Sequence, residues 1–358
     1  MGYYTDIRML KTLNILKLIW YIAMVEDSNH HNDRSRKLNT SRRGAIGLLA
    51  SAVCFSGVTT ASRDHQVDMT IVNRPYSDEI SQQEIEEFQK QSVINYRQEV
   101  DDEESQYFVQ LESNTGRLVS YVSVVDERGT VREHFTFADD PSQVPKAHAE
   151  AHKQAEIIES ELTTNETGDS SISDSEWNIL HEGTRTNYNS FGDLWSSYEL
   201  VQSTENRDIF AYKENFDQTG KNGYENDDAG VEMNWSNSNP DMEIHDWEPY
   251  NGTDSGGERY FEVSVPGGIS YGYQSSWSEI EIDRTTNYSD QTVVFDCYYH
   301  GDGRDGSSGF QPSSIAKRTG GLSNNLFSVE SDASFHYDCA SCKPDFERIK
   351  TSKSFLPY

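Results

Sequence analysis

The sequence predicts a small α+β unit followed by an all-β, sandwich-like domain, and three observations support this fold class. Aromatic residues make up 11% of the 358 residues, which argues against a fully disordered chain despite the high charge. Helix-like patterns lie within residues 81–162. Period-two alternation of apolar and polar residues dominates the chain beyond residue 176, where five of the six tryptophans lie.

The predicted α+β unit covers residues 62–162. Ser81 and Glu84 form an S-x-x-E capping box, and apolar residues at helical spacing then predict a helix to about Val100. Turn residues separate three short apolar runs that follow this helix. The runs predict strands at 107–111, 118–125 and 131–137, and a second helix is predicted at 145–162.

A polar, acidic stretch at 163–176 almost lacks apolar residues and predicts a linker. Residues 177–358 predict the all-β domain, because alternating runs are broken there by Gly, Asn, Asp and Ser. No repeat is visible, so we expect neither a solenoid nor a propeller. Clear alternating positions are Phe261-Val263-Val265, Ile280-Ile282 and Val293-Phe295-Cys297.

Charge is distributed unevenly along the chain. The net charge is −30, and residues 62–358 hold 56 of the 60 acidic and 22 of the 30 basic side chains, a net −34. Such a surface repels the phosphates of nucleic acids and of anionic lipids. We therefore expect neither nucleic acid nor an anionic membrane as a partner. A cell-surface, glycan or protein partner remains open.

Residues 1–61 have the layout of an export signal. The pair Arg42-Arg43 precedes an apolar run at 44–58 that is too short to span a bilayer. Small residues end this run, and we predict cleavage after Ala61. An additional apolar segment lies within residues 1–23, and translation from Met24 would give a charged region of ordinary length before the apolar run.

This arrangement resembles a twin-arginine (Tat) signal, and the resemblance covers residues 41–61. With the acidic composition and the excess of Arg over Lys, the chain is similar to secreted proteins of haloarchaea. The resemblance implies export of the folded protein by the Tat machinery to the medium or the cell surface. It also implies salt adaptation, because concentrated salt screens the carboxylate repulsion that destabilises such a chain at low salt.

Cysteines and a histidine form one candidate metal site. Cys297 and His300 are three residues apart, and Cys339 and Cys342 have the same spacing. Thiolates and imidazoles spaced in this way can bind one zinc ion tetrahedrally. A disulfide among the three cysteines that remain after signal removal is the preferred alternative, because an extracellular destination favours oxidation.

Oxygen-rich segments provide candidates for calcium binding and for modification. The carboxylates of Asp302 and Asp305, or those in the 226–228 segment, suit calcium, although neither segment has EF-hand spacing. N-x-Ser/Thr sequons predict N-glycosylation in turns and in the linker. Their asparagines are Asn165, Asn234, Asn251 and Asn287.

The sequence has neither a G-x-S-x-G elbow nor a paired zinc-protease motif, so it leaves open whether the protein is an enzyme. The first hypothesis is a non-catalytic extracellular binding or surface protein. Its contacts would come from those tryptophans that are exposed among Trp195, Trp235, Trp247 and Trp277. The second hypothesis is an extracellular hydrolase with residues 62–162 as a pro-segment. The third is a halocin-like secreted antagonist whose C-terminal unit is released.

Overall fold

The computed structural model describes residues 57–61, 69–100, 107–126, 129–164, 176–235, 241–254, 257–277, 280–301, 304, 307–321, 326–337 and 345–357. By its contacts the chain divides into two units, Met1–Val53 and Cys54–Tyr358, and all described residues belong to the second unit. The predicted signal residues Arg42 and Arg43 and the candidate start Met24 lie outside the described residues.

Strands dominate the described chain. Its helices are α1 (Gln82–Val100) and α2 (Val144–Thr164), with a 3-10 turn at Pro141–Gln143 before α2. Its strands are β1 (Gly57–Ala61), β2 (Met69–Asn73), β3 (Tyr107–Ser113), β4 (Arg117–Val125), β5 (Val131–Ala138), β6 (Trp177–Tyr188), β7 (Gly192–Ser203), β8 (Ile209–Gly220), β9 (Tyr224–Asn234), β10 (Met242–Glu248), β11 (Gly252–Asp254), β12 (Gly257–Val265), β13 (Ile269–Trp277), β14 (Ile280–Asn287), β15 (Thr292–Tyr299), β16 (Ser307–Phe310), β17 (Ser313–Arg318), β18 (Phe327–Tyr337) and β19 (Asp345–Pro357).

The larger sheet contains ten strands in the order β1-β2-β4-β5-β6-β7-β8-β17-β10, and β16 also pairs with β8. Neighbouring strands are antiparallel except β5 and β6, which run parallel. Their register extends from Val131 opposite His181 to Ala138 opposite Tyr188. A parallel pair needs a crossover connection, and α2 lies in the connection between these two strands.

The smaller sheet contains seven strands in the order β11-β14-β15-β9-β18-β19-β3, and it packs face to face on the larger sheet. Aromatic rings from both sheets meet in the core. The ring centroids of Tyr212 and Phe327 are 4.8 Å apart, and those of Tyr198 and Phe355 are 6.0 Å apart. The described chain is therefore mostly β and sandwich-like, as the sequence predicts.

Two elements cover the outer face of the larger sheet. Ala151, Ala155 and Ile158 of α2 pack on Val122 and Val124 of β4. Within the described chain β12 and β13 pair only with each other, and this hairpin packs further along the same face. Its apolar side chains contact Trp177, Val201, Ile209, Ala211 and Ile315 of the larger sheet.

Helix α1 begins at the predicted capping box. Ser81 N donates to Oε2 of Glu84 at 3.0 Å, and Glu84 N donates to Oγ of Ser81 at 3.3 Å. The Ser81 backbone hydrogen bond, aided by the Arg74 guanidinium, holds the pKa of Glu84 below its usual value. On the inner side of the helix Ile85 is buried, as its apolar spacing predicts, whereas Ile94 of the same predicted stripe is 37% exposed and its neighbour Val93 is buried instead.

Both sheets take strands from either side of the predicted linker. β5 pairs with β6, and β3 pairs with β19 from Tyr107 opposite Pro357 to Ser113 opposite Thr351. The stretches 62–162 and 177–358 therefore share both sheets, whereas the sequence suggests two separate units. Periodicity reports local structure, and pairing between distant strands leaves no local signal. Residues 165–175 of the linker lie outside the described chain.

Candidate functional site

An exposed aromatic patch lies at the edges of the two sheets. Trp247 belongs to β10, an edge strand of the larger sheet, and Arg284 belongs to β14 of the smaller sheet. Tyr250 follows β10, and Tyr288 follows β14. The tyrosines are 55% and 59% exposed, whereas Trp247 is 7% exposed and forms the base. We call these four residues the aromatic platform.

The rings of the platform are held against one cation. The ring centroids of Trp247 and Tyr288 are 5.5 Å apart at an angle of 60°. The guanidinium carbon of Arg284 lies 4.8 Å from the Trp247 centroid and 5.5 Å from the Tyr250 centroid. Guanidinium groups stack favourably on aromatic faces, so Arg284 fixes the two rings relative to each other.

Hydrogen bonds fix the backbone and the side chains around the platform. The hydroxyl of Tyr250 donates to Oδ1 of Asp246 at 3.2 Å, and Tyr250 N donates to Oε2 of Glu248 at 3.1 Å. Nε of Arg284 donates to Oδ1 of Asn251 at 3.3 Å. These bonds place two carboxylates, an amide and a guanidinium beside the exposed rings, where a ligand would meet donors and acceptors together.

Glu248, which lies beside the platform, is a carboxyl with a strongly altered acidity. Burial raises its pKa to about 7, and the neighbouring carboxylate of Asp246 acts in the same direction. The Tyr250 backbone hydrogen bond and Arg284 oppose this shift. Glu248 therefore changes its charge near neutral pH, and hydrogen bonding at the platform changes with it.

Cys297 belongs to β15 and His300 follows it, and the two side chains lie in different environments. Cys297 is fully buried in the core between the sheets and has no disulfide partner among the described residues, and burial raises its pKa far above the usual value. The His300 ring is 45% exposed and lies 3.3 Å from Glu281. Cys339 and Cys342 lie outside the described residues, so the zinc site and the alternative disulfide remain predictions.

Some of the other predicted ligands and modification sites lie among the described residues, and others lie outside them. Asn251 and Asn287 are exposed, Asn234 is half-buried, and Asn165 lies outside the described chain. Asp302 and Asp305 also lie outside it. In the 226–228 segment, Asn226 is buried, and Asp227 and Asp228 lie 4.0 and 3.3 Å from arginines.

Within the described chain, no group of three or more His, Cys, Asp or Glu side chains is placed to hold a metal ion. No described helix combines the length and the apolar character that crossing a membrane requires. Zinc and calcium remain predictions from the sequence patterns.

Tyrosines, rather than tryptophans, supply the exposed aromatic surface. Trp235 is fully buried, Trp247 is nearly so, and Trp195 is half-buried. The side chain of Trp277 lies outside the description. Sequence reasoning missed Tyr250, Tyr288 and Arg284, whose positions next to turns were the available signal, since turn residues are generally exposed.

No protein-family model matches the chain, and no curated protein matches it. A solved "Pore forming protein" is similar at a TM-score of 0.33 and 7% identity, covering 49% of this chain and 95% of that chain. The Clostridium perfringens delta-toxin has a TM-score of 0.33 and 7% identity, with 52% and 94% covered. The C. perfringens NetB toxin in the membrane-inserted form has a TM-score of 0.24 and 9% identity, with 51% and 100% covered. At these TM-scores the likenesses establish neither a shared fold nor a shared function.

Proposed function

We propose that the protein is a non-catalytic extracellular binding protein whose aromatic platform binds a neutral glycan. The observation that carries this proposal is the pair of tyrosines, each more than half exposed, beside the stacked Trp247 and Arg284. Export through the Arg42-Arg43 signal and adaptation to salt belong to the same proposal. Their support comes from the sequence alone.

A neutral glycan fits the chemistry of the platform. The C–H faces of sugar rings pack on exposed aromatic rings, which lose little conformational freedom on binding because they have only two side-chain torsions. Sugar hydroxyls can bond to carboxylates, amides and guanidinium groups, and Asp246, Asn251 and Arg284 supply one of each. The strongly acidic chain repels an anionic glycan, so an uncharged one is favoured.

Two predicted glycosylation sites adjoin the platform. Asn251 follows Tyr250, and Asn287 precedes Tyr288. An N-linked glycan on either asparagine would cover the exposed rings. The binding-competent protein is therefore proposed to be unmodified at both positions, and Asn165 and Asn234 are the compatible sites for modification.

The first prediction concerns the two exposed tyrosines. Tyr250→Ala and Tyr288→Ala should each weaken binding at least tenfold, because each removes a stacking surface. The measurement is isothermal titration with soluble β-glucan, xylan and mannan, after cleavage of the signal. Phe346→Ala is the matched control, because Phe346 is 62% exposed and belongs to β19 rather than to the platform.

The outcomes distinguish specific binding at the platform from non-specific binding by any exposed aromatic residue. Specific loss in the two tyrosine variants supports the proposal. Equal loss in Phe346→Ala, or no binding of any of the three polysaccharides by the unmodified protein, rejects it.

A second candidate function is a membrane-active secreted antagonist, and the β12–β13 hairpin favours it. Phe261, Val263 and Val265 of this hairpin turn toward the larger sheet, while Glu262 and Ser264 are exposed. Because β12 and β13 pair as strands only with each other within the described chain, release of the hairpin would break side-chain contacts but no strand pairing of either large sheet. The apolar face of the released hairpin would then bind to an uncharged bilayer, since the acidic chain repels anionic lipids.

A further inference from the structure

A groove on the outer face of the larger sheet is separate from the aromatic platform. Helix α2 forms one side, through Gln154, Ile157 and Glu161, and Gln311 contributes on the other side. The groove has a cavity volume of about 300 Å³. That volume matches the lower end of the range for small-molecule sites, so the groove has room for a small ligand.

Four charged side chains form a row across the floor of the groove. Arg132 on β5 is opposite Glu182 on β6, Glu182 is opposite Glu199 on β7, and Glu199 is opposite Lys213 on β8. The order of charge along the row is therefore positive, negative, negative, positive. The two carboxylates are direct cross-strand neighbours, an arrangement that is unfavourable unless a cation lies between them.

The cations of the row are held at its two ends. Arg132 lies 2.8 Å from Glu161 and 3.0 Å from Oε1 of Glu182. Lys213 lies 3.4 Å from Oε2 of Glu199, and the hydroxyl of Tyr271 donates to Oε1 of Glu199 at 2.8 Å. The two carboxylates therefore stand side by side at the centre of the row, and both Glu182 and Glu199 line the groove there.

The remaining walls of the groove are suited to a short alkyl chain and to hydrogen bonds. Ile157 lines the groove and is 39% exposed, so part of its apolar side chain faces the space inside. Thr184, Ser197 and Asn215 form the row of floor residues beside the charged row. A ligand with a cationic head and an apolar tail would contact both kinds of surface.

We propose that this groove binds a primary alkylammonium group, as found in a lysine side chain or a short aliphatic amine. The ammonium would sit between the carboxylates of Glu182 and Glu199 and donate to both. Its alkyl chain would lie along Ile157. An ammonium group has three donors and no acceptor, which matches a site whose central atoms are carboxylate and hydroxyl oxygens.

The acidity of Glu182 gives the proposed site a pH dependence. Burial raises the pKa of Glu182 to about 7, Arg132 opposes the shift, and Glu199, Glu161 and Asp126 add to it. A carboxyl with this pKa is mostly protonated at pH 6 and mostly ionised at pH 8. Amine binding should therefore be about tenfold tighter at pH 8 than at pH 6, since the amine stays charged at both.

The test is titration of the full chain with n-butylammonium chloride, with n-butanol as the uncharged probe of equal length. We expect saturable binding of the amine and no comparable binding of the alcohol. Glu182→Gln and Glu199→Gln should each weaken amine binding at least tenfold. Glu205→Gln, at an exposed turn position, is the matched control and should leave binding unchanged.

Circular dichroism of each variant separates loss of the site from loss of the fold. Ile157→Ala supplies a variant that keeps both carboxylates, and it should weaken n-butylammonium more than methylammonium. The proposal is overturned if the alcohol competes equally, if Glu205→Gln weakens binding as much as Glu199→Gln, or if affinity is the same at pH 6 and pH 8 in folded protein.

Discussion

His134 shows how one buried residue sets the response of the fold to acid. Its ring is fully buried on β5, with one nitrogen 2.7 Å from Oγ1 of Thr184 and the other 2.7 Å from Oγ1 of Thr136. Burial lowers its pKa from 6.5 to about 3, and Lys153 acts in the same direction. The folded protein therefore keeps this ring neutral at pH values at which the unfolded chain protonates it.

The sign of the effect follows from the two pKa values. Between pH 6.5 and about 3 the unfolded chain binds a proton that the folded chain excludes, so stability falls as the pH falls. The full window is worth on the order of 5 kcal/mol. In urea unfolding from pH 7 to pH 4, His134→Gln should give a flatter pH dependence than the unmodified protein. His152→Gln, on the exposed side of α2, should keep the original slope, and a flattened slope there would contradict the assignment to His134.

The individual charged residues that are buried could not be identified from the sequence. Glu214 and Lys353 are fully buried and form an ion pair between the sheets, and Glu133 pairs with His181 at 2.7 Å. Charged residues are usually exposed, so pattern reasoning assigns each of them to the surface. Their burial depends on partners that lie far away in sequence, such as Lys353 for Glu214.

At the scale of elements, the β12–β13 hairpin is the part whose release can be tested. Tyr271 and Tyr273 anchor it through hydroxyl bonds of 2.8 Å to Glu199 and 3.1 Å to the carbonyl of Gln311. Tyr271→Phe and Tyr273→Phe keep the apolar rings and remove these anchors. If the hairpin enters bilayers, both variants should release dye from phosphatidylcholine vesicles several-fold faster than the unmodified protein.

The control for this experiment is Tyr260→Phe, because Tyr260 is 63% exposed on the opposite face of the hairpin. It should release dye at the unmodified rate. Lower thermal stability of the anchor variants without any dye release would identify the hairpin as a fixed structural element and remove the membrane candidate.

Elements with strong local patterns could be predicted, and their arrangement could not. The capping box of α1 and the alternation in β12, β14 and β15 each depend on residues close together in sequence. The order of the strands does not depend on such local residues. For example, β6 has a parallel partner, β5, on one side and an antiparallel partner, β7, on the other, and no local pattern indicates this. The platform was missed for the same reason, since Trp247 and Arg284 come together only through packing of the two sheets' edges.

At the scale of the whole molecule, the shared sheets predict how the chain responds to cleavage. A protease recognition sequence placed within residues 165–175 would separate the chain into two pieces. These pieces should elute together in native gel filtration, because the β5–β6 and β3–β19 pairs remain. They should separate in denaturant.

Elution as two separate folded pieces without denaturant would contradict this prediction. It would also favour the hydrolase with a removable pro-segment and the antagonist with a released C-terminal unit. Co-elution would count against both, since removal of residues 62–162 would expose unpaired edges on β6 and β19.

The pairing of β3 with β19 also governs the time course of folding. Lys350 N donates to Oδ1 of Asn114 across 236 residues of sequence, and β3 has no neighbour in the smaller sheet other than β19 within the described chain. During synthesis β3 must therefore wait, unpaired, until residues 345–357 have left the ribosome. Contacts of such long range slow folding and expose strand edges to aggregation. The yield of folded protein would accordingly depend on how well the cell shields this early strand while translation proceeds.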